Sequence, residues 1–142
     1  MNAHYDLFSD GKVQVYNSAT YGDNEERGGG YAKAKCDEGT ADCKVIFFGG
    51  LVKGNYWIVS TDYTSYALVY SCDRVWLTLG LLASETVWIL SRTETLDPTT
   101  MEYIEEVMTE QLPTYDYEEW LIDTVQGGDC NYEGQLPDVA AE

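Results

Sequence analysis

The sequence predicts an all-β fold: an up-and-down antiparallel β-barrel with one C-terminal α-helix packed outside it. Three observations predict it. Seven short runs rich in aromatic and β-branched residues follow one another over residues 3–92, separated by Gly, Asp and Ser turns, as strands and hairpins require. The apolar period then changes from two to helical spacing over residues 97–112. Apolar residues make up 44% of the 142, enough for one domain with a core of its own.

His4–Phe8 and Lys12–Asn17 are the first two runs, joined by the hairpin turn Ser9-Asp10-Gly11. Val13 and Val15 alternate with Lys12, Gln14 and Tyr16, so one face is buried and one is wet. Residues 18–29 lead into the glycines Gly28-Gly29-Gly30 and read as a loop. No Lys-Ser/Thr follows the glycines, and the next residues read as strand, so this is not a phosphate cradle. Tyr31–Cys36 and Cys43–Phe48 are runs three and four. Ala32 and Ala34 alternate with Lys33 and Lys35, and small inward residues leave room for something else. Cys36 and Cys43 flank the polar turn 37–42, where cross-strand neighbours come within disulfide reach. Gly49-Gly50 and Gly54 bound the next loop.

Runs five and six are the hairpin Tyr56–Ser60 and Thr61–Cys72, reversing at Asp62, whose carboxylate can bond nearby amides. The connector 73–83 is unusually apolar, with Val75, Trp76, Leu77, Leu79, Leu81 and Leu82. It reads as folded-back packing, or as a partner surface or ligand lid. Thr86–Ser91 is run seven. Asp97 and Pro98 then start a helix as N-cap and first residue. Met101, Ile104 and Met108, with Val107 alongside, form its packing stripe. Glu102, Glu105, Glu106 and Glu110 face water, and Pro113 closes it. Residues 113–142 form a C-terminal extension. Within it, 116–125 reads as a second short helical piece, and the polar tail from Gly127 as loosely held.

The net charge is −17 and the pI about 4.1, which repels nucleic acid and anionic membrane surfaces. No apolar run reaches the ~20 residues of a membrane helix. Met1-Asn2-Ala3-His4 shows neither the basic start nor the apolar stretch of a signal peptide. Four cysteines, Cys36, Cys43, Cys72 and Cys130, suit an oxidised compartment and allow three pairings. Their spacing and the single His4 give no zinc pattern, and no calcium-loop pattern appears. Catalysis is not expected: no Ser/His/Asp set forms around His4, and Cys72 closes a strand beside an apolar loop, a poor setting for an activated thiol.

Thr61-Asp62-Tyr63, followed by Tyr66-Ala67-Leu68-Val69-Tyr70-Ser71-Cys72, resembles the second conserved block of the lipocalins. Ile89-Leu90-Ser91-Arg92, ahead of the helix, resembles their third block. Residues 124–130, Thr-Val-Gln-Gly-Gly-Asp-Cys, are similar to the tail of the carotenoid-binding crustacyanins. Apolipoprotein D and the bilin-binding lipocalins share the first two of these features. The resemblance runs from Asn2 to about Asn131. It implies a lipocalin-type barrel, of which seven of the eight strands are recognisable. The Gly-x-Trp block of the family's first strand has no counterpart before Asn2. That departure leaves Arg92 without the Trp it stacks on in the family, and Cys72 and Cys130 without their family partners. A truncated product, a strand supplied by another chain and an open barrel all account for it.

Period-two alternation combined with the family register gives an inward set: Ala3, Tyr5, Val13, Val15, Asn17, Ala32, Ala34, Val45, Phe47, Tyr56, Ile58, Ala67, Val69, Thr86 and Trp88. This is an apolar, aromatic-walled cavity, with Tyr5, Asn17 and Tyr56 available to a polar end group. The resemblance implies a secreted carrier of one small hydrophobic ligand, a carotenoid such as astaxanthin, that pairs with other lipocalin subunits. A bilin, fatty acid or retinoid is the alternative cargo, and an assembly subunit completed by another chain the alternative role.

Overall fold

The computed structural model describes residues 1–21, 26–47, 52–74, 82–128 and 130. Its strands are β1 (Asn2–Leu7), β2 (Val13–Tyr21), β3 (Glu26–Cys36), β4 (Asp42–Phe47), β5 (Val52–Thr61), β6 (Tyr66–Arg74) and β7 (Ala83–Ser91). They hydrogen-bond in sequence order within one sheet. Two helices follow, α1 (Pro98–Gln111) and the single turn α2 (Tyr117–Trp120). The all-β class, the antiparallel succession and the helix after the strands are as the sequence predicts. Phe48, Gly49-Gly50 and most of the apolar connector, from Val75 to Leu81, lie outside the described residues.

The chain forms two compact units: Met1–Lys35 with Val45–Lys53 and Thr124–Glu142, and Cys36–Lys44 with Gly54–Asp123. In the first, Gly11 takes the left-handed φ of +77° that the β1–β2 turn requires. The Phe8 amide donates to the Lys12 carbonyl at 2.8 Å, and the Asp10 carboxylate accepts from the Lys12 amide at 3.0 Å. One expectation fails here. The glycine run is not loop but strand: β3 begins at Glu26, and Gly28, Gly29 and Gly30 pair with Ala19, Ser18 and Asn17 of β2. The physical reason is the neighbouring ring. A Cβ built on Gly29 would lie 2.8 Å from Cζ of Tyr16, which itself packs on Tyr31 with ring centroids 4.8 Å apart. Glycine here makes room for an aromatic pair on the sheet surface. At the far end of the chain, Gly127 is buried, and Gln126 donates from Nε2 to the Met1 carbonyl at 2.7 Å.

The second unit holds the larger core. Ile104 and Met108 of α1 are fully buried against Tyr66 and Leu68 of β6 and Val87 of β7. Val59, Ile89, Met101, Val107, Tyr117 and Leu121 pack around them. The sequence stripe on α1 is thus a packing face on the β6–β7 ladder, where Leu68 pairs with Ile89 and Tyr70 with Val87. Asp97 caps α1 by accepting from the Thr100 amide at 3.0 Å. The second helical piece is shorter than expected. Only 117–120 is helical; Tyr117 and Leu121 pack on the core cluster, while Trp120, Ile122 and Val125 are exposed.

The β5–β6 turn is built around one carboxylate. Asp62 accepts from the amides of Thr64 (2.9 Å), Ser65 (2.7 Å) and Tyr66 (3.1 Å), and from the Ser65 hydroxyl. The turn places Tyr63 at φ +63°, with its ring 87% exposed. The Ser65 hydroxyl and amide are the main reasons that the Asp62 carboxyl is held far below the ordinary carboxylate range.

Candidate functional site

Each unit carries its own apolar sheet face, and most of the expected ligand residues lie on these two faces. In the first unit the register aligns Tyr5, Val15 and Ala32 in one row, Leu7, Val13 and Ala34 in the next, and Ala3, Asn17 and Gly30 in a third. Val15, Ala32, Ala34 and Val45 are buried, and Val13 is half-buried. Ala3, Tyr5 and Asn17 are exposed, Tyr5 at 43%. Phe47 ends β4, and its side chain lies outside what the structure describes.

In the second unit, strand alternation splits β5, β6 and β7 into two faces. Tyr66 and Leu68 of β6 go under α1. Their alternates Ala67, Val69 and Ser71 go to the opposite face, joined by Ile58 opposite Val69 and by Thr86, Trp88 and Leu90 on β7. Val69 is fully buried, and Tyr56, Ile58, Ala67 and Thr86 are half-buried. Tyr56 and Trp88 stand on the strands either side of β6, and their rings stack across it at 6.2 Å, 23° from parallel. Trp88 remains 37% exposed and is not among the residues packed against α1.

A bulge governs which β5 residues reach that face. The register slips between Ile58 and Ser60, so Ser60 rather than Val59 pairs with Leu68. Ser60 and Tyr66 then share a hydrogen bond at 2.7 Å between their hydroxyls.

Polar groups sit at the end of β6. Asp73 accepts from the Asn55 amide at 3.1 Å, from Asn55 Nδ2 at 2.9 Å and from the Ser71 hydroxyl at 3.1 Å. Asn55 Nδ2 also donates to the Cys72 carbonyl at 2.8 Å, and Lys44 Nζ donates to Asn55 Oδ1 at 2.5 Å. This clamp ties β5 to β6 beyond the Trp57–Tyr70 pair, on the far side of Ile58 from the bulge. On the helix side of β6, Tyr70 donates to Glu85 at 2.6 Å. Burial first, then the Glu85 carboxylate, push its phenol well above the usual range.

Sequence reasoning missed three members of the second face. Leu90 opposite Ala67, buried Ser71 and Asp73 continue the alternation that already includes Ala67, Val69 and Trp88. The period-two signal alone was enough to find them.

Cys36 and Cys43 are joined in a disulfide, and the Asp37 amide donates to the Asp42 carbonyl at 2.9 Å beside it. Cys72 and Cys130 are thiols, each partly exposed. His4 lies on β1, 3.2 Å from the Asp6 carboxylate. Arg92 is exposed, and its amide donates to the Ser65 carbonyl at 3.0 Å. Among the described residues no group of three or more His, Cys, Asp or Glu gathers as metal ligands do, and no helix is long and apolar enough to cross a membrane.

Comparison with known proteins places these features in a family. A family model described as a lipocalin-like domain matches residues 1–125. Apolipoprotein D of Mus musculus is 35% identical over 112 residues, covering 77% of this chain and 57% of that protein. Apolipoprotein D of Bos taurus is 34% identical over 110 residues, with the same coverage. The chain thus spans 57% of the length of these curated relatives. Lazarillo protein of Schistocerca americana is 42% identical over 53 residues, 37% of this chain and 24% of that protein. Among solved structures, apocrustacyanin C1 superposes with a TM-score of 0.72 at 20% identity, over 94% of this chain and 69% of its own. Lobster apocrustacyanin A1 gives 0.71 at 21%, over 92% and 68%. The two structures support the fold alone, and the family model covers most of the chain: it belongs to the lipocalin family.

Proposed function

We propose that the chain is a non-enzymatic carrier that holds one small hydrophobic molecule against an apolar face of its sheet. The observation that carries this is the face opposite α1. There Ile58, Val69 and Trp88 form an apolar row, and the stacked Tyr56 and Trp88 rings leave aromatic surface open. On this otherwise buried or half-buried apolar row, the exposed part of Trp88 beside Tyr56 is the aromatic surface that an apolar ligand would meet. The ligand contacts proposed here are Tyr56, Ile58, Ala67, Val69 and Trp88. The face of the first unit, taken by itself, offers Tyr5, Val13, Val15, Asn17, Ala32, Val45 and Phe47 as candidates from the sequence pattern.

A carotenoid such as astaxanthin is the cargo we favour. A flat conjugated chain stacks on paired aromatic rings, and the likeness to the crustacyanins supports it. The likeness to apolipoprotein D supports a different apolar cargo, and a bilin, fatty acid or retinoid is the alternative. The resemblance also supports a secreted protein and pairing with other lipocalin subunits. The exposed Leu7 on β1, the first strand in the sheet order, favours a strand contact with another chain.

The test is a titration of the purified chain with astaxanthin, retinol and a fluorescent fatty acid, following tryptophan quenching and the visible spectrum. A saturable 1:1 complex weakened by Trp88→Ala is expected, with a red-shifted band for the carotenoid. No saturable binding of any of the three would overturn the carrier reading. Light scattering on the same samples checks the assembly reading, which a monomer at all concentrations would contradict.

A further inference from the structure

We infer that the chain carries a second, separate site for a small organic ammonium ion, in the depression where α1 ends and α2 begins. This depression has a volume of about 300 Å³ and is lined by Thr109, Leu112, Pro113, Tyr115, Asp116, Tyr117 and Glu118. All of these belong to the second unit and none lies on the apolar sheet face. Three independent features make it suited to a cation with an apolar body.

The first is aromatic. Tyr115 and Tyr117 both line the depression, and their packing against the core cluster holds the rings in place. Ring faces attract ammonium groups, and quaternary ammonium recognition rests on such rings. The second is formal charge. Asp116 and Glu118 line the same space, and no ion pair among the described residues reaches either. Asp116 uses one carboxylate oxygen to accept from the Glu119 amide at 3.2 Å. All eight Lys and Arg residues lie at or before Arg92, so no cationic side chain from α1 onward neutralises this end. The third is the helix itself. The negative end of the α1 dipole falls here, and its last turn holds no basic residue to offset it. Burial first, and then the Glu85 carboxylate, raise the Tyr115 phenol above its usual range.

Leu112 and Pro113 supply the apolar part of the wall. A strongly hydrated inorganic ion gains nothing from them or from the rings, whereas an alkylammonium uses carboxylates, rings and apolar wall together.

The experiment titrates the full chain with choline and, in parallel, with its neutral isostere 3,3-dimethylbutan-1-ol. Ionic strength is held fixed and amide chemical shifts are read. Choline is expected to give saturable shifts confined to residues 109–118, with an apparent Kd in the millimolar range that weakens as salt is raised. The neutral isostere is expected to give none. Tyr117→Leu, which removes a ring, and Glu118→Gln, which removes a charge at an exposed position, are each expected to weaken choline binding about two- to fivefold. Equal shifts from the isostere would overturn the inference. So would linear shifts spread over every acidic surface, or unchanged affinity in Glu118→Gln.

Discussion

Replacing Leu68 by alanine tests the packing that separates the two faces of β6. Leu68 has no exposed surface and sits between the sheet and the fully buried Ile104 and Met108 of α1. The substitution removes three carbons, a transfer loss of roughly 2.4 kcal/mol at ~0.8 kcal/mol per methylene. Strands and helix cannot close fully over the gap, and a residual void of about 40 Å³ would add about 1 kcal/mol. The expected cost is therefore about 3.5 kcal/mol, within the range of ~2–5 kcal/mol for buried leucines. Urea unfolding followed by tryptophan fluorescence and far-UV circular dichroism measures it, with the m-value as a check on the unfolded state. Ile122→Ala, at an exposed position, is the control and is expected to change stability by less than about 0.5 kcal/mol. Leu68→Ala combined with Ile104→Ala is expected to cost less than the sum, since both enlarge one cavity. A loss below about 1 kcal/mol for Leu68→Ala at unchanged m would refute the packing of α1 on this strand.

Three further outcomes follow from local contacts. Gly29→Ala drives a methyl against the phenolic end of Tyr16, which must turn off its rotamer, and is expected to cost about 0.5–1.5 kcal/mol; adding Tyr16→Ser should recover part of that loss in the same urea assay. Reducing the Cys36–Cys43 bridge frees a loop with a sequence separation of seven, and the chain-entropy relation gives a loss of about 2.4 kcal/mol, read as the drop in urea midpoint with a reductant present. The folded pKa of Asp62 is depressed, so its contribution is fully present above the unfolded carboxyl value near 3.8 and is lost as pH falls toward the folded value. The stability gap between the native chain and Asp62→Asn should therefore be constant from pH 5 to 7 and shrink below about pH 4; a gap that widens on acidification would contradict the turn geometry.

Much of this architecture was legible because the signals are local. Asp97 followed by Pro98 and the stripe Met101, Ile104, Met108 specify a helix start and its buried side wherever the helix docks. Asp62 could be read as the organiser of a reversal because a short carboxylate reaches amides only a few residues away. The glycine run misled because glycine signals a turn in isolation, whereas its strand here depends on Tyr16 from another strand. Residues 116–125 misled in a related way: Tyr117 and Leu121 reach the core from a single helical turn, and the chain leaves the helix at Leu121 in an extended conformation, which no local periodicity signals. The depression beside Tyr115 and Tyr117 was not legible, since it exists only where α1 and α2 meet.

By itself the sequence determined that seven strands follow one another and that a strand such as β6 has two unlike faces. Alternation is a property of the extended backbone, so Ala67, Val69 and Ser71 separate from Tyr66 and Leu68 before anything packs. It also determined that one helix follows, with a face ready to be buried. Only the tertiary structure decided which residues meet on the helix side, because Tyr66 and Leu68 come from β6 and Val87 from β7, and α1 buries them together. It also decided the slip at Ile58–Ser60, which arises from fitting β5 to β6 and leaves no mark in either strand alone. It further brought Tyr56 and Trp88 from different strands into one stacked pair, the surface on which the proposed carrier function rests.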